Sequence, residues 1–199
     1  PGPKNDSLVK KYHLQNKKVM MTLARLEASE RYKGIDEVLG VMPELLKEVP
    51  ELTYLIAGDG NDRVRLEHKV ARLGLKNRVV FTGYISEKEK TDHYRLADVY
   101  VMPSRGEGFG IVYLEALACG VPVVGSSVDA ASDFLGKDEW SLTVDPQSPE
   151  EIRSAILKLL NRSLKGRVYS MALNFSKDNF FKLVNQFMDK AQKYETALV

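Results

Sequence analysis

Short apolar runs alternate with amphipathic segments along most of the chain. Six of these runs are bounded by polar residues, glycine or proline, which is the pattern of short buried strands. No repeat interrupts this alternation. The predicted strands cover residues 18–24, 52–58, 78–83, 98–103, 121–127 and 141–145.

Between the strands, apolar residues recur at helical spacing and predict amphipathic helices. In the clearest helix, residues 35–49, Pro43 falls inside the pattern and predicts a kink or a broken turn. Ser86 and Glu89 have the spacing of a capping box, and Ser148 is a predicted N-cap. The other predicted helices cover residues 62–73, 86–97, 109–119, 148–161, 164–175 and 178–194.

Strands joined by helices of this length indicate an α/β fold. We predict a Rossmann-like, open and mostly parallel sheet of about six strands, with helices on both of its faces. Residues 18–199 are expected to form this single domain. Residues 1–17 open with "PGPKNDS" and are expected to be a linker or a cloning remnant.

Composition excludes several classes of protein. The 199 residues are 44% hydrophobic and 28% charged, as in an ordinary globular domain, and 29 Lys and Arg against 27 Asp and Glu give no reason to expect nucleic acid as a partner. The single cysteine, Cys119, excludes an internal disulfide and fits the cytoplasm, the expected location. His13, His68 and His93 lack metal-ligand spacing, so we predict surface histidines and no metal site.

Residues 104–124, "SRGEGFGIVYLEALACGVPVV", place a glycine-rich loop before a helix. Glycines let backbone amides approach an anion closely, and a helix N-terminus favours phosphate; a tight loop without a ligand is the alternative. The dinucleotide fingerprint G-x-G-x-x-G is absent, which disfavours an oxidoreductase. Glu115 lies on an otherwise apolar helix and needs a partner, either a hydroxyl-bearing ligand or a nearby Arg or Lys.

The segment "EGFGIVYLE", residues 107–115, resembles the E-x7-E motif of retaining glycosyltransferases of the GT-B fold, family 4. "ARLEASERYKG", "LIAGDG" and "RVVFTGYIS" are similar to further motifs of that family, in the same order. The resemblance covers residues 18–160 and implies one half of a GT-B architecture, the C-terminal half that binds the nucleotide-sugar.

The resemblance also implies roles for individual positions. Glu115 would accept hydrogen bonds from ribose hydroxyls, and Glu107 would contact the donor sugar. Backbone amides near the helix start would meet sugar or diphosphate oxygens, and the end of the third strand would border the base. These two backbone sets are Phe109, Gly110 and Ile111, and Gly83, Tyr84 and Ile85.

Arg25 and Lys33 would clamp the diphosphate and stabilise charge on the leaving group, so no metal or other cofactor is expected. The loop between them is longer than the shortest form in the family, which leaves Arg31 as a substitute for Lys33. For each cation, the alternative is an ordinary solvated surface position.

The function implied is transfer of a sugar from a nucleotide donor, UDP- or GDP-linked, in polysaccharide or glycoconjugate synthesis. Family members carry a second, N-terminal domain that supplies the acceptor site, so we expect the isolated domain to be inactive. The full-length enzyme would stay cytoplasmic or be peripheral to a membrane. The alternative is a non-catalytic module that binds a nucleotide or sugar phosphate, and a phosphorylase or epimerase relative is a third option.

Overall fold

In a computed structural model that describes residues 1–137 and 139–162, six parallel strands form one sheet. The order across this sheet is β3-β2-β1-β4-β5-β6. All six predicted strands are confirmed, with ends that differ by a few residues. The strands are β1 Lys18–Leu23, β2 Leu52–Ala57, β3 Val79–Gly83, β4 Val99–Val101, β5 Val123–Ser126 and β6 Ser141–Val144.

Helices cover both faces of the sheet, as predicted, and each face has its own apolar core. Alternate side chains of β1 enter opposite cores, Met20 on one face and Met21 on the other. The first core contains residues of α2, α3 and α6, and the second contains residues of α4 and α5. The helices are α1 Asp6–Lys11, α2 Ile35–Glu48, α3 Arg63–Arg72, α4 Glu87–Tyr94, α5 Ile111–Ala118 and α6 Pro149–Leu160.

Helix α2 continues through Pro43, so the predicted broken turn is absent. Met42 and Leu45, on either side of the proline, are fully buried against the sheet. This packing stabilises the helix despite the backbone hydrogen bond that a proline cannot donate. The capping box of Ser86 and Glu89 is confirmed at the start of α4.

The prediction of a linker over residues 1–17 is wrong for the segment that forms α1. Asn5 caps this helix by accepting hydrogen bonds from backbone N–H groups, and Tyr12 and Leu14 are buried in the second core. The Tyr12 hydroxyl lies 3.0 Å from Nε2 of His93. His93 is 1% exposed, so its predicted surface position is also wrong, because this N-terminal segment covers it. The helices predicted at 164–175 and 178–194 lie outside the described residues.

Candidate functional site

The strand order reverses between β1 and β4, which are neighbours in the sheet although α2, β2, α3, β3 and α4 lie between them in the chain. In an open α/β sheet, the connections that leave such a pair run in opposite directions and leave a crevice at the carboxyl ends of the strands. Here the connections are residues 24–34 after β1 and residues 102–110 after β4. They carry five of the ten predicted site residues, namely Arg25, Lys33, Glu107, Phe109 and Gly110.

Gly34 holds these two loops together. Its φ is +82°, and a Cβ there would lie 2.8 Å from the carbonyl carbon of Pro103 and closer still to the carbonyl oxygen. Only glycine adopts this conformation at so close a contact without strain. A backbone hydrogen bond also joins the two loops: the Arg105 N–H donates to the Tyr32 carbonyl at 2.8 Å. The two sides of the crevice are therefore fixed relative to each other.

Arg25 and Lys33 meet on the first loop, where one carboxylate pairs with both. Oε1 of Glu30 forms an ion pair with Nη2 of Arg25. The other carboxylate oxygen, Oε2, lies 3.0 Å from Nζ of Lys33. The Glu30 and Lys33 side chains are only 10% and 16% exposed, whereas Arg25 is 76% exposed. The two predicted cations are thus neighbours, and most of the Arg25 side chain faces solvent.

Arg31 points elsewhere. Its Nε and Nη2 donate to Oδ1 of Asp62 at 3.0 and 2.6 Å, and Arg65 donates to both oxygens of the same carboxylate. Hydrogen bonds from Arg65 and Arg31 lower the pKa of the buried Asp62. Burial acts to raise the pKa of Asp36, but hydrogen bonds from Arg65 and Lys69 lower it to about 2. This network anchors the first loop to α3, and Lys33 rather than Arg31 accompanies Arg25.

Helix α5 begins at the crevice after Gly110, and no side chain caps it. A Cβ on Gly110 would overlap the Tyr113 ring and would lie 3.4 Å from Cγ of Glu107. The Tyr113 hydroxyl donates to the Met102 carbonyl at 2.7 Å, which ties the first turn of α5 to the end of β4. The backbone N–H groups at this helix start and the Glu107 side chain therefore lie side by side.

Asp129, which the sequence analysis did not single out, lies beside Glu107. It follows β5, is 8% exposed, and accepts a hydrogen bond from the Ala131 backbone N–H at 3.0 Å. Burial, and after it the negative charge of Glu107, raise the pKa of Asp129 to about 6 against the lowering effect of hydrogen bonds from the Ala131 and Glu107 backbone N–H groups. A second carboxyl group thus lies next to the glycine-rich loop and accepts a hydrogen bond from its Glu107 backbone N–H.

Glu115, in the second turn of α5, contacts α4. The Tyr94 hydroxyl donates to Oε2 at 2.7 Å, and Nζ of Lys90 lies 3.3 Å from Oε1. Lys90 also pairs with Glu87 at 2.7 Å, and this hydrogen bond raises the pKa of Lys90. The predicted alternative of an ion pair with a nearby cation is therefore present, and 29% of the Glu115 side chain stays exposed.

Several large apolar side chains are exposed at the carboxyl edge of the sheet. Phe109 and Ile111, at the start of α5, are 49% and 64% exposed, and the Phe109 ring lies 5.4 Å from that of Phe134. Tyr84, after β3, is 80% exposed, and Val128, after β5, is 60% exposed. Apolar surface concentrated at one edge is typical of a face that contacts a ligand or a partner.

Gly83, Tyr84 and Ile85, the residues predicted to border the base, lie further from the centre of the crevice, because β3 is two strands away from β1. Gly83 has a φ of +73°, and its carbonyl accepts a hydrogen bond from the Gly58 N–H at 2.9 Å. Ile85 is buried in the second core, so only its backbone could serve a ligand. The segment leads directly into α4, which carries the partners of Glu115.

The structure therefore brings the predicted residues to one edge of the sheet, with the clamp cations and the glycine-rich loop closest together. Sequence reasoning missed four partners of these residues. Only Glu30 could have been found from the sequence, because it lies three residues before Lys33, a spacing typical of ion pairs. The four are Glu30, Lys90, Tyr94 and Asp129.

Among residues 1–137 and 139–162, no group of three or more His, Cys, Asp or Glu side chains is arranged to hold a metal ion. No helix in the same part of the chain has the length and apolar character needed to cross a membrane.

A family model described as "Glycosyl transferases group 1" matches residues 4–177. Among curated relatives, the GDP-mannose-dependent alpha-(1-6)-phosphatidylinositol monomannoside mannosyltransferase of Mycolicibacterium smegmatis is 36% identical over 157 residues, 75% of this chain and 40% of that protein. Mannosylfructose-phosphate synthase of Agrobacterium fabrum is 29% identical over 172 residues, 82% of this chain and 37% of that protein. The chain spans about two fifths of the length of these relatives.

Solved structures agree on the fold. The crystal structure of Anabaena Alr3699/HepE in complex with UDP and glucose has a TM-score of 0.77 at 21% identity, covering 94% of this chain and 51% of that one. Sucrose-phosphate synthase from Thermosynechococcus elongatus has a TM-score of 0.77 at 24% identity, covering 96% of this chain and 50% of that one. The chain has the fold of one half of these GT-B proteins.

Proposed function

This chain belongs to the glycosyl transferases group 1 family, and we propose that it is the donor-binding domain of a retaining glycosyltransferase. The whole enzyme would move a sugar from a nucleoside diphosphate sugar to an acceptor in polysaccharide or glycoconjugate synthesis. The chain spans only about two fifths of the M. smegmatis relative, and we assign the acceptor site to a second domain outside it. By itself the chain would bind the donor without transferring the sugar, because the second domain would supply the groups that orient the acceptor.

The observation that carries this proposal is the position of Arg25 and Lys33 across the crevice from the start of α5. A diphosphate bound there would meet two cations on one side and backbone N–H groups of a helix N-terminus on the other. Both are strong anion-binding groups, and the low exposure of Lys33 reduces screening by water.

The same cations suit the chemical step. When the bond between the anomeric carbon and the diphosphate oxygen breaks, that oxygen keeps the electron pair and gains negative charge. Arg25 and Lys33 would stabilise this charge without a metal ion. The acceptor oxygen would form the new bond to the anomeric carbon, and its proton would pass to an oxygen of the departing diphosphate. We place Glu107 beside the sugar, since its side chain lies against Gly110 at the helix start.

Glu115 suits the ribose. Tyr94 and Lys90 hold its carboxylate in one orientation, while part of the side chain stays exposed. A carboxylate fixed in this way can accept hydrogen bonds from two neighbouring hydroxyls without losing side-chain entropy on binding. The exposed Tyr84 and the backbone around it would then border the base.

The relatives support a nucleoside diphosphate donor and leave the base to experiment. The M. smegmatis relative is GDP-mannose-dependent, whereas the Anabaena structure contains UDP. The name of the former includes phosphatidylinositol monomannoside, a lipid. We therefore propose that this protein too acts on an acceptor at a membrane surface, from the cytoplasmic side.

Titration calorimetry of the chain with UDP, GDP and ADP tests the proposal. We expect one nucleotide to bind, and Lys33→Ala to weaken it about tenfold or more, as for the loss of a charge-assisted hydrogen bond. Lys47→Ala is the matched control, because Lys47 also pairs with a glutamate three residues earlier, on the far part of α2. Equal effects of both substitutions, or binding of none of the nucleotides, would contradict the proposal.

A further inference from the structure

Glu30 occupies the centre of the cation pair on the first loop. Its two carboxylate oxygens are divided between Arg25 and Lys33, and 90% of its side chain is shielded from solvent, since only 10% is exposed. One carboxylate therefore engages both groups that a diphosphate would need. Arg25, Lys33 and Glu30 together carry a net charge of only +1.

The other cations around the crevice have internal partners as well. Arg105, on the second loop, lies 3.0 Å from Glu37 of α2, and Lys90 is shared between Glu87 and Glu115. An incoming anion thus finds these cations already paired. Glu30 differs from the carboxylates that pair with Arg105 and Lys90, which are Glu37, Glu87 and Glu115, because it contacts two cations at once and is more shielded than any of the three.

We propose that Glu30 is an internal counter-anion, which nucleoside diphosphates displace when they bind Arg25 and Lys33. The inference rests on the proposed donor site. A ligand must replace both contacts of Glu30 at the same time to offset their loss, which a diphosphate can do because its oxygens span more than one cation. An uncharged nucleoside has no group that competes with Glu30 for the cations, so the carboxylate lowers the affinity for the diphosphate and not that for the nucleoside.

The local backbone allows Glu30 to leave. The segment Ala28–Lys33 is a short 3₁₀ helix whose regular geometry is broken at Glu30, with φ −111° and ψ 21°. The following residues, Arg31 and Tyr32, are held by Asp62 and by the Arg105 backbone N–H, so displacement would move the Glu30 side chain and its own backbone while the rest of the loop stays in place. Arg25, the more exposed cation, can turn toward a ligand while Lys33 stays in place.

Calorimetry on the whole chain tests this role with Glu30→Gln and its matched control Glu44→Gln. Glu44 pairs with Lys47 at 2.7 Å with the same three-residue spacing, on an exposed part of α2. We expect Glu30→Gln to bind the preferred nucleotide, UDP or GDP, about fivefold more tightly than the unsubstituted chain. The affinity for the matching nucleoside, uridine or guanosine, should not change, and Glu44→Gln should bind like the unsubstituted chain.

Unchanged or weaker nucleotide binding by a folded Glu30→Gln chain would overturn the inference and leave the donor site standing. Failure of both the unsubstituted chain and Glu30→Gln to bind any of UDP, GDP and ADP would instead refute the proposed function, and this inference with it. Glu30→Asp keeps the charge with a shorter side chain, and it covers the case in which Glu30→Gln does not fold. Its nucleotide affinity should not fall below that of the unsubstituted chain, and a lower affinity would mean that Glu30 positions the cations instead.

Discussion

Gly34→Ala tests whether the contact between the two loops is as tight as the structure has it. At φ +82°, an alanine costs about 1 kcal/mol relative to glycine. Its Cβ would also lie 2.8 Å from the carbonyl carbon of Pro103, so backbone has to move, and overpacking of this kind costs about 1–3 kcal/mol. We expect a loss of about 2–4 kcal/mol in the free energy of unfolding, or roughly 5–15 °C in the melting temperature.

Two other glycines separate these contributions. Gly74 has a φ of +71° with nothing near its Cβ position, so Gly74→Ala should cost only about 1 kcal/mol. Gly40, inside α2, has neither a positive φ nor a neighbour, and Gly40→Ala should stabilise the chain by about 0.5–1 kcal/mol. The contact with Pro103 alone distinguishes Gly34 from Gly74.

Urea unfolding gives the stabilities of the three variants, and calorimetry gives their nucleotide affinities. Gly34→Ala should also weaken nucleotide binding, because the loops that carry the cations and the helix start are forced apart. Gly74→Ala should leave the affinity unchanged. If Gly34→Ala is no less stable than Gly74→Ala, the close contact between the loops does not exist and the reasoning is refuted.

Three further substitutions have defined expectations. Tyr113→Phe removes the hydrogen bond to the Met102 carbonyl and should lower the free energy of unfolding by about 1–2 kcal/mol, and a change in urea unfolding within error of zero would contradict this. Asp62→Asn removes the shared charge that pairs with Arg31 and Arg65 and should cost about 2 kcal/mol in the same assay; an equal or higher stability would show that the network does not hold the loop. The pKa of Asp129 is raised from 3.8 to about 6, so its contribution to stability is complete below pH 3.8 and is lost as the pH rises through 6. Asp129→Asn should flatten the stability profile over that interval, and an unchanged slope would argue against the buried carboxyl.

The fold could be predicted closely because its signals are local. The apolar spacing of residues 35–49 and the capping pair at Ser86 each specify a helix by themselves, and buried parallel strands appear as short apolar runs. Helix α1 escaped prediction since its six residues are too few to show a period. The buried position of His93 depends on Tyr12, which is distant in sequence, and no local pattern encodes that contact.

The sequence could name candidate residues for the site but could not say how they pair. Arg25, Lys33, Glu107 and Glu115 could be named from spacing and resemblance, since each lies in a recognisable motif. Which carboxylate meets which cation depends on how the loops fold over the sheet. The sequence alone could not choose between a ligand and Lys90 as the partner of Glu115, and the structure reveals an internal partner that leaves the side chain partly exposed.

Hydrogen–deuterium exchange of the chain, with and without the nucleotide that binds most tightly, tests the central claim most directly. A donor bound at the reversal of the strand order should protect backbone amides in residues 24–34, 83–87 and 104–115. Amides at the opposite, amino-terminal edge of the sheet, such as those at the start of β1 and β2, should exchange at unchanged rates. Protection concentrated at that opposite edge, or binding without protection of residues 24–34 and 104–115, would contradict the account.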